Sequence, residues 1–580
     1  MLLEKRKNKH NLTYKMKQKK STQKQKDLLM MAIVFGIVIL LNFVSSFLFK
    51  RFDLTSEKRY TLSESTKKLI KNLDDVLYLK VYLQGDFNPS FTRLKNETKE
   101  LLDEYVSYSD GNIAYEFINP LDNPSKEETD KLEKQIYTKG IMPEQIVDKT
   151  SQKTSETLIW PGAIVTYKGK ETIWQIFQRQ IGIDQENSIN NSVQELEYGL
   201  SNSIRKTQLI KKPEVLFIEG HDELDTLHGA DFMSSLTEYY NVSRVNINNK
   251  LYALKGADAI VIAQPDSVFD EKDKFIIDQF IMHGGKALWL IDPVYTNRDT
   301  LIKRGYTLGF KNELNLDDIL FKYGVRLNPV LVQDLQCSRI PVNVGLKAGQ
   351  PDFQLFPWIY NPLLLPTTNH PIVKNLDLIK TEYIGTIDTL NTKNVKKTIL
   401  LQSSKYTKTQ PTPARISLAI IKNKPNEVQF QNSYQNIACL LEGKFESLYK
   451  NRISSTFMND SAYNYLSESK PTRMIVVADG DIAKNEYQRS TGMIYPLGYD
   501  IYSKQQFANK TFLLNCMNYL LDDQGLLQLR SREVKLRLLD KKKISTQENK
   551  WKLTNVLYPL LGLILLGLLQ FYIRKKKYSI

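Results

Sequence analysis

Cysteine and histidine are scarce in this 580-residue chain, which has three cysteines, Cys337, Cys439 and Cys516, and five histidines. No CxxC pair or histidine cluster accompanies them, which argues against a disulfide scaffold, a structural zinc site and dithiol redox chemistry. Buried free thiols are the expectation. The phosphate-binding run G-x-x-x-x-G-K-[ST] is also missing, since Gly284, Gly285 and Lys286 lack the upstream glycine and the following hydroxyl. The chain is therefore not expected to hydrolyse ATP itself. There is no G-x-S-x-G turn for a serine nucleophile, and a cysteine nucleophile would need an exposed, glycine-flanked turn with a histidine beside it. Cys516 falls in a predicted core helix and Cys337 in a loop without glycine on either side, so the reading is non-enzymatic, with no catalytic residue and no cofactor assigned.

Positive charge is plentiful, at a net +16, but it is absent from the middle of the chain. The first 27 residues carry ten Lys/Arg against Glu4 and Asp27, a net +8, and the last seven residues carry +4, leaving +4 for residues 50 to 555. A near-neutral body has no domain-wide field for DNA or RNA. The lysine-rich leader beside an apolar run reads instead as a topology signal and a contact for anionic lipid.

Two long apolar runs are present. Residues 28 to 49, LLMMAIVFGIVILLNFVSSFLF, carry no charge over 22 positions, enough to cross a hydrocarbon core of about 30 Å at about 1.5 Å per residue. A cleaved signal peptide is the competing reading, but the run exceeds an ordinary signal-peptide core and its basic leader is long. Residues 556 to 573, VLYPLLGLILLGLLQFYI, lead directly into Arg574, Lys575, Lys576 and Lys577, a stop-transfer arrangement that a buried core helix would not carry. Ten basic residues precede the first run, so both tails are expected in the cytoplasm and the body outside it. The nine Lys/Arg between Arg530 and Lys552 are the one opposing signal. The expected location is a bacterial inner membrane, crossed twice, with a periplasmic body.

The body reads as α/β. In the stretch 55–210, LYLKVYLQGD alternates as a strand, RLKNETKELLDEYVSYS has helical spacing, NIAYEFINP is a second strand, and AIVTYKGKETIWQIF is a hairpin turning near Lys168 and Gly169. That order predicts a thioredoxin-like small domain, followed by a linker helix over about 188–206. From 211 to 525, PEVLFIEGHDE, DAIVIAQPDS and KALWLIDPV alternate with helical stretches and predict a parallel, flavodoxin-like or amidotransferase-like sheet. Prolines at 329, 341, 351, 357, 362, 366 and 371 break up residues 312–470 into loops, with strands at KTILLQSS and RISLAII, and the region is read as an insertion before TRMIVVADGDIA and NKTFLLNCMNYLLDD resume the pattern. Residues 526–555 form a basic juxtamembrane segment and 574–580 a cytoplasmic tail.

Open α/β sheets bind ligands beyond the carboxyl ends of their strands. Three predicted strand ends carry polar groups there: Glu219 with His221, Asp222 and Glu223; Asp292; and Asp479 with Asp481. Carboxylates with one histidine hold a metal or act as an acid/base pair, yet Asp and Gly are also ordinary turn residues. These seven residues are the candidate ligand or partner site, with no metal assigned. A membrane-tethered hydrolase using Glu219, His221 and Asp292, and a purely structural envelope anchor, stand as alternatives.

RFDLTSEKRYTLSE after the first apolar run, PEVLFIEGHDELD, ALWLIDPV, RMIVVADGDIAKN, NKTFLLNCMNYLLDD and LRSREVKLRLLD together resemble the gliding-motility-associated ABC transporter auxiliary proteins, the G-type subunit family of Bacteroidetes. The resemblance runs over almost the whole chain. It implies an accessory or substrate-binding component working with a separate ABC ATPase and a membrane permease in gliding motility or secretion. It further implies an amidotransferase-like central domain without the catalytic cysteine, and it transfers no catalytic residue.

Overall fold

The computed structural model describes residues 26 and 28–43, and then 61–578 apart from 123–124, 151–152, 178, 180–183, 209–211, 348, 367, 423, 453–463, 523–524 and 532–540. The chain divides into two units at Thr61/Leu62. In the first, α1 (Leu28–Phe43) is an apolar helix with its side chains exposed all round. The rest of the expected run, 44–49, lies outside the described residues.

The second unit opens with α2 (Glu64–Lys71), whose N-terminus is closed by the Ser63 hydroxyl accepting from the Thr66 N–H. A four-stranded sheet follows, built from β1 (Leu77–Val81), β2 (Ile113–Phe117), β3 (Gly162–Tyr167) and β4 (Lys170–Gln175) in the order β2-β1-β3-β4. The β1/β2 pair is parallel, and β3 and β4 form the hairpin predicted at Lys168 and Gly169. Lys168 and Gly169 both take positive φ, the conformation that a two-residue hairpin turn requires. Helices α3 (Pro89–Tyr108) and α4 (Gln185–Gln208) contribute to one core on this sheet, where Phe91, Leu94, Leu196 and Leu200 meet Leu77, Leu79 and Val165.

The central sheet begins with β5 (Glu214–Glu219), α5 (Ala230–Leu236), β6 (Asn241–Asn246), β7 (Ala259–Ala263), α6 (Glu271–Met282) and β8 (Lys286–Leu290). A long hairpin, β9 (Cys337–Lys347) and β10 (Gln350–Leu364), intervenes before β11 (Val395–Gln402), β12 (Asn436–Gly443), β13 (Thr472–Val477) and α7 (Asn509–Leu520). The seven strands lie in the order β11-β12-β13-β8-β7-β5-β6. The run β13-β8-β7-β5-β6 is parallel, and β12 alone runs against the others. Two strands from within residues 312–470 thus join the main sheet. The strand expected at KTILLQSS is β11, and RISLAII is a strand only as far as Ser417, whereas β12, with IACLL buried throughout, falls where loops were expected.

Period-two alternation sends successive side chains of these strands into different cores. Val215, Phe217, Val261, Leu288, Leu290 and Val477 face the core closed by Phe232 of α5 and Phe512 and Cys516 of α7. Leu216, Ile218, Ile260, Ile262, Trp289 and Val476 face the opposite core, closed by Ile276, Ile277 and Ile281 of α6. A sheet covered on both faces explains why its strands read as continuous apolar runs.

The last helix, α8 (Lys541–Tyr578), contains Pro559 and a break from helical geometry at Gln547. Its Thr546–Lys576 portion is, among the described residues, the one helix long and apolar enough to cross a membrane. It starts upstream of the apolar run, so the basic segment expected over 526–555 continues into the same helix; Lys and Glu are good helix formers and do not end it.

Candidate functional site

The first parallel strands diverge between β5 and β7, because β6 lies on one side of β5 while the chain continues on the other. This is a topological switch point. The loop after β5 carries Gly220 and Asp222 at positive φ and turns His221 inward, leaving it 5% exposed. His221 stacks on Phe269 with ring centroids 3.6 Å apart. Its Nδ1 lies 3.0 Å from Glu223 Oε1 and its Nε2 3.4 Å from Asp273 Oδ2. Both ring nitrogens are therefore taken, and His221 ties the β5 loop to the first turn of α6. Glu219 pairs with Arg244 on β6, and Asp222 accepts from the Ser267 hydroxyl. These four residues serve local pairings, and none of those pairings involves Asp292.

Asp292, Asp479 and Asp481 do converge. They follow the neighbouring strands β8 and β13, and one carboxylate oxygen from each lies within 4.8 Å of the others. Asp292 Oδ1 accepts from the Gly480 N–H at 2.6 Å and Oδ2 from Gln264 Nε2 at 3.1 Å. Asp479 is 0% exposed, and neither of its oxygens finds a hydrogen-bond donor among the described residues. The Asp481 backbone N–H is near enough to offset this slightly without closing a bond. Asp481 pairs with Lys484 at 3.1 Å.

Burial and then the Asp481 charge push Asp292 up to about 8, while Gly480 and Gln264 pull the other way. Burial, with Asp292, Asp481 and Glu382 adding repulsion, holds Asp479 well above the ordinary carboxylate range. Asp266, after β7, is raised by burial and by Asp481. Close carboxylates taken out of water resist ionising together, so the cluster binds protons or a cation more readily than isolated aspartates do.

Asp481 and Lys484 also line a cavity of about 330 Å³ with Arg298, Lys380, Glu382 and Tyr499. Burial works against the ionised form of Glu382, but Arg298 and Lys380, each 3.6 Å away, hold it below its ordinary range. The Asp481 charge outweighs burial and raises Lys484. The cavity thus has fixed charges of both signs on its wall and buried carboxylates beside it. Lys484 stands inside the strand-end motif RMIVVADGDIAKN and was open to notice there; Glu382 and Arg298 sit in irregular chain that gives no periodic signal.

Residues 212–516 match the protein family described as an ABC-type uncharacterized transport system, and residues 56–166 match a domain of unknown function. An uncharacterized protein of Borreliella burgdorferi is 22% identical over 445 residues, covering 74% of this chain and 80% of that protein. Among solved structures, the mmIFT52 N-terminal domain aligns at 10% identity with a TM-score of 0.30, over 53% of this chain and 96% of that domain. A thua-like protein from Parabacteroides merdae aligns at 10% identity with a TM-score of 0.24, over 57% of this chain and 94% of that protein.

Proposed function

This chain belongs to the ABC-type uncharacterized transport system family, and from that we propose that it is the membrane-anchored, non-catalytic accessory or substrate-binding subunit of an ABC transporter. The observation that carries the reading is the position of the matched region. It spans the doubly wound sheet, whose strand ends hold a cavity with charges of both signs, the usual place for a ligand on such a sheet. A subunit of this kind would leave ATP hydrolysis to a separate ATPase and translocation to a permease, in keeping with the missing phosphate-binding run. We read the small sheet as thioredoxin-like and the central one as amidotransferase-like without its nucleophile, and the system as one of the G-type subunits that serve gliding motility or secretion.

The apolar helix α8, ending in Arg574–Lys577, supports anchoring at the C-terminal end, and the 28–49 run supports a second crossing with a periplasmic body. Tagged full-length protein extracted in mild detergent should bring down an ATPase and a permease subunit. Repeated recovery without either would remove the transporter reading. Protease added to spheroplasts should degrade the body before lysis; protection until the cells are broken would place it in the cytoplasm.

A further inference from the structure

We propose that Asp292, Asp479 and Asp481 form a binding site for one hard divalent cation of calcium size. The proposal does not depend on the transport reading.

Asp479 is the independent pointer. It projects from the end of β13 into the cluster, is wholly buried, and leaves both oxygens without a hydrogen-bond donor among the described residues. Buried carboxylates are ordinarily paired, hydrogen-bonded or bound to a metal. The neighbouring Gly480 N–H is committed to Asp292, and the Asp481 N–H does not close a bond to it.

Charge balance points the same way. Lys484 reaches Asp481, while Asp292 and Asp479 have no ion-pair partner among the described residues. Arg298 and Lys380 are engaged by Glu382. Once ionised, three carboxylates against one ammonium leave a deficit of two positive charges, which a divalent ion cancels as it displaces the protons that burial holds there.

The donor set is oxygen only, without the thiolate or imidazole that would favour zinc or copper, and this selects a hard ion. Size narrows the choice. Two oxygens on one ion lie at most twice the metal–oxygen distance apart, about 4.6–5.2 Å for Ca²⁺ and about 4.0–4.2 Å for Mg²⁺. The three oxygens lie within 4.8 Å of one another, a bound inside the reach of calcium, whose flexible coordination also suits an irregular donor set better than the near-ideal octahedron that magnesium demands. Asp481 also borders the cavity, which gives the ion an entry path and room for water ligands. Gly480 is required for this closeness, since a Cβ there would meet Asp292 Oδ2 at 2.8 Å and the Gln264 Cα at 2.9 Å.

The test uses the full-length chain in detergent, stripped with EDTA and then dialysed against CaCl₂ or, separately, MgCl₂, with bound metal and thermal unfolding measured together. We expect saturable binding of one Ca²⁺ per chain and a rise in melting temperature of several degrees. Asp479→Asn should weaken binding by at least tenfold while its metal-free melting temperature equals or exceeds that of the parent, because the amide is close to the protonated carboxyl in shape and brings donors to a site crowded with acceptors. Asp481→Asn, at a less buried position, gives a second reading of the same loss should Asp479→Asn not fold. No retained calcium or magnesium, or unchanged binding in the folded variants, would overturn the site; binding of magnesium alone would overturn the size assignment.

Discussion

Gly480 donates its backbone N–H to Asp292 Oδ1 at 2.6 Å, closing the gap between two strand ends that are 188 positions apart in the chain. The contact exists because position 480 has no side chain. In Gly480→Ala the added methyl would sit 2.8 Å from Asp292 Oδ2 and 2.9 Å from the Gln264 backbone, so one strand end must retreat. Overpacking of this kind costs about 1–3 kcal/mol. A melting temperature lowered by several degrees is expected, and an unchanged one would show that the strand ends are not held together as described.

The same cluster sets a pH dependence in chelator. Asp292 and Asp479 both have folded-state proton affinities raised above the ordinary carboxylate range, with Asp481, Asp266 and Glu382 as the facing acids and Lys484 as the facing base. With Asp292 raised to about 8, the folded chain binds its proton between about pH 4 and pH 8 where the unfolded one does not, so that contribution to stability is full below about pH 4 and is lost as pH rises through about 8, and Asp479 acts in the same direction. Thermal scans in EDTA across pH 5 to 9 should show parent protein losing stability more steeply than the double variant Asp292→Asn/Asp479→Asn. Parallel curves would refute the assignment.

Asp278 offers a purely structural test. This buried carboxylate of α6 accepts from Tyr323 Oη at 2.9 Å, Ser447 Oγ at 2.6 Å, the Leu448 N–H at 3.0 Å and Gln279 Nε2 at 3.0 Å, the last of which also reaches the Leu466 carbonyl. Burial raises its pKa, and these donors oppose the rise. Asp278→Ala strands three buried donors at once and should cost about 3 kcal/mol or more, seen as a lower denaturation midpoint. Ser447→Ala, which removes one donor and leaves the others paired, should cost less.

The thiols should be inert in the native chain. Burial pushes Cys337 up to about 11 and Cys439 up to about 12, and lifts Cys516 well above the ordinary thiol range. A thiol reagent at neutral pH should modify the native protein slowly and reach three equivalents per chain only after unfolding. Rapid native modification of Cys439 or Cys516 would contradict their placement.

Much of the central sheet was open to reading because strands buried on both faces must be apolar at consecutive positions. PEVLFIE, DAIVIA, KALWLI and RMIVVA each fall on an observed strand. The run KTILLQSS was open to reading as a strand, but residues 436–443 were harder to place, since they follow an irregular, proline-broken stretch and only the finished sheet buries them. Six acids and one histidine at strand tips were visible as a set. Their sorting was not, because it depends on lateral strand order: β13 lies beside β8, which brings Asp479 and Asp481 to Asp292, whereas His221 finds its partners in its own loop and on α6.

That lateral order also governs how the chain can fold. β8 is made early, but its partner β13 comes from residues 472–477, so Leu290 waits for Val477 while the whole intervening stretch is synthesised. Pairing over so long a loop is slow, and until it happens the open edge of β8 is a template for mispairing with other chains. Refolding from denaturant should therefore lag and favour dilute conditions, and any fragment ending before β13 would expose that edge permanently.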